Sequence, residues 1–160
     1  MNKEEYLSDE DRLFYGPIAT RKILIVCKGN TCRSVIFHSI LKKEKRLLNT
    51  EVFSAGVDVK EINMIDNTKK ILNQHNTDIA KNKTNKISEY KDMYIDDLIV
   101  LDSSLKIPDY IKTKRTIVFD IPDPDHDKDP KNIAKKEVKF LNYEDTYQSI
   151  RKIINDLDIT

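Results

Sequence analysis

The chain has 160 residues, with 28 basic and 27 acidic side chains, a formal net charge of +1 and two cysteines. That length buries one core without staples, the balanced charge leaves no footprint for nucleic acid, and two thiols make no disulfide framework. No apolar run is long enough to cross a bilayer, so the expectation is a cytoplasmic protein with neither nucleic-acid nor membrane partners.

Residues 1–21 read as an N-terminal extension ahead of a single domain, 22–160. Ser8, Asp9, Glu10 and Asp11 offer a cap to a short helix carrying Leu13, Phe14 and Tyr15, which stops at Gly16-Pro17. An acidic tail and a segment that contacts a partner or covers a pocket are both open readings of it. Residues 22–26 are a continuous apolar run after Lys22 and predict a buried parallel strand. Residues 34–41 follow with helical spacing, opening on Ser34 as a capping residue. Residues 50–54 predict a second strand and 66–76 a helix, with His75 at its end. Residues 97–101 and 116–119 predict the third and fourth strands. Residues 143–157 close the chain as a helix with Tyr147, Ile150, Ile153, Ile154 and Leu157 on one face. Strand alternating with helix implies an α/β fold, a three-layer sandwich with a four-stranded parallel sheet flanked by helices. Its ligand site lies at the carboxyl ends of the strands.

Between the first strand and the first helix stands Cys27-Lys28-Gly29-Asn30-Thr31-Cys32-Arg33-Ser34. A loop feeding a helix N-terminus offers unpaired N–H groups and the positive end of the helix dipole to an anion, and Arg33 adds two parallel hydrogen bonds to phosphate oxygens. The same field favours the thiolate of Cys27. Gly29 permits close backbone approach, and Asn30 tolerates the left-handed conformation that turns successive N–H groups inward. Ser34 is spaced to donate its hydroxyl to the Cys27 sulfur. Cys32 has two readings, a redox partner that closes a reversible disulfide with Cys27 and a small buried packing residue. A zinc site would need ligands that the scattered His38, His75 and His126 do not supply.

These residues resemble the active-site loop of the low-molecular-weight protein tyrosine phosphatase family, which includes protein-arginine phosphatase and arsenate reductase branches. Phe53-Ser54-Ala55-Gly56 resembles the family's second-strand ending, whose serine supports the loop asparagine, here Ser54 and Asn30. Asp120-Ile121-Pro122-Asp123-Pro124 resembles its general-acid loop. The resemblance implies a phosphatase domain over 22–160 that acts on phosphorylated proteins through a phosphocysteine, without metal or other cofactor. Cys27 is then the nucleophile. Arg33 and the loop residues Lys28, Gly29, Asn30, Thr31 and Cys32 bind phosphate, Ser34 stabilises the sulfur, and Asp123 donates a proton to the leaving group. Asp120, Asp125, Asp127 and Asp129 crowd the same stretch and compete for the acid role.

The sequence departs from the family's pattern at places that bear on substrate. Val35 stands where proline is usual, and Asp125 and His126 stand where tyrosine-directed members carry aromatics. Thr31 matches the arginine-directed branch, whereas Lys28 at the rim suits acidic phosphopeptides. The arsenate-reducing branch relays electrons through further cysteines, and none follows Cys32. A phosphate-binding module without turnover is the alternative of another class.

Overall fold

The computed structural model describes residues 20–44, 46–124 and 135–158, with side chains in the last stretch described from residue 142 onward. Residues 1–19, and with them the expected N-terminal helix, lie outside the described residues, as do Asp125, His126, Asp127 and Asp129. The elements run β1 (Arg21–Cys27), α1 (Arg33–Lys42), β2 (Thr50–Gly56), α2 (Asp66–Gln74), a one-turn 3-10 helix (Ile87–Tyr90), β3 (Tyr94–Val100), β4 (Lys112–Val118) and α3 (Lys135–Asp156). The four strands are all parallel, in the order β2-β1-β3-β4.

Period-two alternation along β1 divides the core. Ile23, Ile25 and Cys27 face a cluster built with Ile36, Phe37, Ile40, Leu41, Ile71, Leu72, Ile150 and Ile154 from the three α-helices. Leu24 and Val26 face the opposite side, where Ile87 from the 3-10 helix packs with Ile95, Leu98, Val100 and flanking loop residues. Burial on both faces is why β1 and the second half of β3 read as unbroken apolar runs. The edge strand β4 behaves differently. Its Lys112, Lys114 and Arg115 are exposed, and this polar half escaped the sequence reading, which began the strand at 116. β3 likewise starts at Tyr94 rather than 97, and α3 starts eight residues before 143. None of the helices among the described residues is long and apolar enough to cross a membrane.

Midway along β3, Asp97, 3% exposed, is held between two guanidinium groups. Arg21 approaches to 2.6 Å and Arg115 to 2.7 Å, so a buried carboxylate is paired on both sides. The carboxyl ends of the strands carry a set of loops drawn together. Gly56, the last residue of β2, lies in register with Cys27, and Val57 and Asp58 then donate their N–H groups to the Cys27 and Lys28 carbonyls. This backbone approach leaves no room for a side chain. A Cβ at Gly56 would stand 2.6 Å from the Lys28 carbonyl oxygen and 2.9 Å from the Gly29 carbonyl carbon. Gly56→Ala is therefore expected to push the 28–29 loop outward and to lower unfolding free energy by about 1–3 kcal/mol, read as a reduced urea midpoint.

α1 is tied to β2 by His38, whose Nδ1 lies 2.9 Å from Ser54 Oγ and whose ring also bonds the Val52 backbone. Burial, followed by the charges of Lys81 and Lys42, pushes its pKa from 6.5 down to about 4. The unfolded chain thus binds more protons than the folded one between these two values. Stability is complete above about pH 6.5 and falls as the pH drops toward 4, by at most about 3 kcal/mol from this group. A His38→Gln variant should show a shallower loss over that window in urea titrations.

Candidate active site

Cys27 is the last residue of β1 and is 2% exposed. The loop of residues 28–32 curls over its sulfur and passes directly into α1. The curl depends on Asn30, whose φ of 55° lies in the left-handed region. This conformation aims the Asn30 N–H back at Cys27 Sγ, 3.3 Å away. Ser34 Oγ lies 2.9 Å from the same sulfur. The Asn30 side-chain amide donates to Ser34 Oγ at 2.8 Å, which leaves the hydroxyl proton directed at Cys27 Sγ. Ser34 is thus occupied by the sulfur and does not cap the helix, contrary to the sequence reading. α1 starts at Arg33 with Cys32 at the N-cap position, without a side-chain cap bond and without an acidic residue in its first turn. The N–H groups that a cap would have filled are available to an anion.

Asn30 is itself held from outside the loop. Its Oδ1 accepts hydrogen bonds from Lys81 Nζ at 2.6 Å and from the Asn85 backbone N–H at 2.8 Å. Two donors on that atom fix which end of the amide is oxygen. Ser54, the expected support of Asn30, is buried beside them and binds Lys81 through its carbonyl at 2.9 Å and its hydroxyl at 3.3 Å. Its link to Asn30 therefore passes through Lys81. On the far side of the loop, Thr68 from α2 donates to the Thr31 carbonyl at 2.6 Å.

Arg33 is 4% exposed, and its guanidinium is clamped along one edge. Nη1 donates to Asp102 Oδ2 at 3.2 Å and to the Ile121 carbonyl at 2.9 Å, while Nη2 lies 3.9 Å from Asp123 Oδ2. Burial works against ionising Asp102, but the Ser104 hydroxyl and N–H, with Arg33, outweigh it and hold the carboxyl below its ordinary range. It stays charged as the counterion of Arg33. The candidate acids separate clearly among the described residues. Asp120 spends both carboxylate oxygens on Ser103, accepting from its N–H at 2.6 Å and its hydroxyl at 2.9 Å. Asp123 has a side chain 41% exposed, at the mouth of the same loop.

Cys27, Asn30, Arg33, Ser34, Ser54 and Asp123 thus converge at the carboxyl ends of β1, β2 and β4. Gly29 and Thr31 are half-buried along the loop, and Lys28 is exposed at its rim. Cys32 is buried in the apolar cluster on the helical side of the sheet, and both cysteines are thiols. His75 takes no part: it stacks on Tyr147 at 3.9 Å and bonds Glu144 at 2.7 Å, tying α2 to α3. The sequence reading missed Lys81, Asn85, Thr68 and Asp102. Asp102 had a signal, since it lies just past β3 at the edge where ligands bind in such sheets. Lys81 had none, because its segment is a run of lysines and asparagines that reads as solvated surface.

Comparison with known proteins gives the family and the fold. The low molecular weight phosphotyrosine protein phosphatase family matches residues 22–158. Solved structures with the same fold include a low molecular weight protein tyrosine phosphatase from T. tengcongensis, 23% identical, with 86% of this chain and 100% of that chain covered and a TM-score of 0.60. The YwlE arginine phosphatase from Geobacillus stearothermophilus is 24% identical, with 85% and 92% covered and a TM-score of 0.61. An arsenate reductase in the phosphate binding state is 18% identical, with 87% and 100% covered and a TM-score of 0.60. No curated protein matches the sequence significantly. Because the match runs from the start of β1 to the end of α3 and takes in the whole cysteine loop, the chain belongs to the low molecular weight phosphotyrosine protein phosphatase family and is a phosphoric monoester hydrolase that works through a cysteine.

Proposed function

We propose that the protein is a protein-tyrosine phosphatase that hydrolyses phosphorylated protein substrates through a phosphocysteine on Cys27. The observation that carries this reading is the Ser34 hydroxyl directed at Cys27 Sγ, since a donor there stabilises a thiolate before attack and again as a leaving group. The three equatorial phosphoryl oxygens are held by loop and first-turn N–H groups and by the edge of Arg33 not committed to Asp102, and negative charge is stabilised as it builds up. Asp123 protonates the leaving oxygen and then activates water against the phosphocysteine, with Pro122 and Pro124 stiffening the loop that presents it. Nucleophile, clamp and acid are all side chains, so this reaction needs no metal or other cofactor. A reducing compartment such as the cytoplasm suits a nucleophilic thiol beside a second cysteine.

A second reading, protein-arginine phosphatase, is favoured by Thr31. Its carbonyl is pinned by Thr68, which fixes the backbone that carries it, and a hydroxyl at this place on the loop can meet a guanidinium. Burst release of product from p-nitrophenyl phosphate tests turnover through a covalent intermediate and separates it from a phosphate-binding module. Cys27→Ser should abolish turnover. Asp123→Asn should slow it by about 10²–10⁴-fold, with the greater loss for phenyl phosphate, whose leaving group needs the proton more. An equal effect on both esters would take the acid role from Asp123. Relative kcat/KM for phosphotyrosine and phosphoarginine peptides then decides substrate class, and Thr31→Ile should shift that ratio toward phosphotyrosine.

A further inference from the structure

Among the described residues, Lys81 brings an ammonium group to the site from a distant segment. It lies outside the cysteine loop, 51 residues beyond Asn30 in sequence, yet all three of its N–H donors are used at the site. They go to Asn30 Oδ1 at 2.6 Å, the Ser54 carbonyl at 2.9 Å and Ser54 Oγ at 3.3 Å, which is the full capacity of an ammonium group.

The polarity of the network around it follows from the same count. On one branch Ser54 Oγ accepts from Lys81 and lies 2.9 Å from His38 Nδ1. On the other branch Lys81 donates to Asn30 Oδ1, the Asn30 amide donates to Ser34 Oγ, and the Ser34 hydroxyl is left to donate to Cys27 Sγ. Every donor in that relay points toward the sulfur. We propose that Lys81 is a positioning residue of this phosphatase: together with the Asn85 N–H, its ammonium locks the Asn30 amide in the one orientation that makes Ser34 a donor to Cys27, and it supplies the charged one of the two bonds. The assignment rests on the reading of Cys27 as the nucleophile.

Two further observations fit this role. Asn30 pays for its left-handed backbone with bonds from Lys81 and from the Asn85 N–H, so the same contacts stabilise the curl of the loop. Burial also pushes the Lys81 pKa from 10.5 down to about 8, against the pull of Glu89 and Cys27, so the fold holds this charge at a cost to its own stability. The charged or titratable groups facing it are Cys27 from β1, His38 from α1 and Glu89 from the 3-10 helix.

The test compares wild type with Lys81→Met and Lys81→Gln in the full chain, at matched urea midpoints or with the difference recorded. Two readouts are taken, alkylation of Cys27 by iodoacetamide at a fixed, mildly acidic pH and turnover of p-nitrophenyl phosphate. Lys81→Met should slow alkylation by about tenfold and lower kcat with little change in KM, as expected when a charge-assisted hydrogen bond is lost from the relay. Lys81→Gln keeps an N–H donor and should recover most of both rates. Wild-type kcat should also fall as the pH rises through about 8, where Lys81 drops to two donors, and the glutamine variant should lack that fall. Unchanged alkylation in both variants, or equal loss in both, overturns the proposal. If Lys81→Met does not fold, the pH profiles of wild type and Lys81→Gln decide alone, and identical profiles overturn it. Absence of turnover in wild type would instead sink the phosphatase reading, and the alkylation comparison would still report on the link from Lys81 to the sulfur.

Discussion

The site depends on one constrained residue. Asn30 stands at a φ of 55°, a conformation that costs a non-glycine residue about 1–2 kcal/mol, and everything around the sulfur follows from that turn. Its backbone N–H reaches Cys27 Sγ, its side-chain amide orients Ser34, and its side-chain oxygen takes the bonds that offset the strain. A glycine there would adopt the same backbone at less cost, but it would have no amide with which to orient Ser34. The loop thus exchanges backbone comfort for a side chain that donates on one end and accepts on the other.

The parallel sheet makes this loop possible because it brings distant stretches to one edge. β1 delivers Cys27, and β2 ends beside it at Gly56, where the absence of a Cβ lets the next residues bond the Cys27 and Lys28 carbonyls. The segment that follows α2 then runs alongside, as the Gly56 N–H bonds the Asn85 carbonyl and Gly56 bridges to Lys86. That contact carries Lys81 and Asn85 to Asn30. Asp97, midway along β3 between Arg21 of β1 and Arg115 of β4, ties these three strands to one another away from the loop.

What was legible in the sequence tracks what is local. The apolar runs of β1 and β3 and the facial spacing of α3 were readable because burial imposes a pattern on consecutive residues. The Cys27 to Ser34 loop was readable because its chemistry lies within eight positions. β4 was half hidden, since an edge strand needs no apolar partner on its open side and begins with Lys112, Thr113 and Lys114. Ser34 was misjudged as a helix cap because a serine at the start of a helix has two competing partners, the backbone ahead of it and the sulfur seven residues back. Lys81 was invisible, since a lysine in a polar segment looks solvated until tertiary structure surrounds it with acceptors.

Arg33 shows how the two halves of the proposed reaction are joined. One guanidinium nitrogen bonds both Asp102, at the end of β3, and the Ile121 carbonyl, two residues before Asp123. The Phe119 and Ile121 N–H groups bond the Val100 and Leu101 carbonyls, so the loop that follows β4 is tied to the end of β3 by its backbone and to α1 through Arg33. The proposed phosphate clamp and the candidate acid therefore share one anchor. A substitution that removed the guanidinium would take away one anchor of the 119–124 loop as well as the proposed phosphate contact, and its effect on turnover would exceed the loss of ground-state binding. Asp102 is kept ionised by Ser104 and Arg33, and this makes the anchor durable, because a counterion that does not take up a proton leaves the arginine's orientation unchanged while charge builds and collapses on the phosphoryl group.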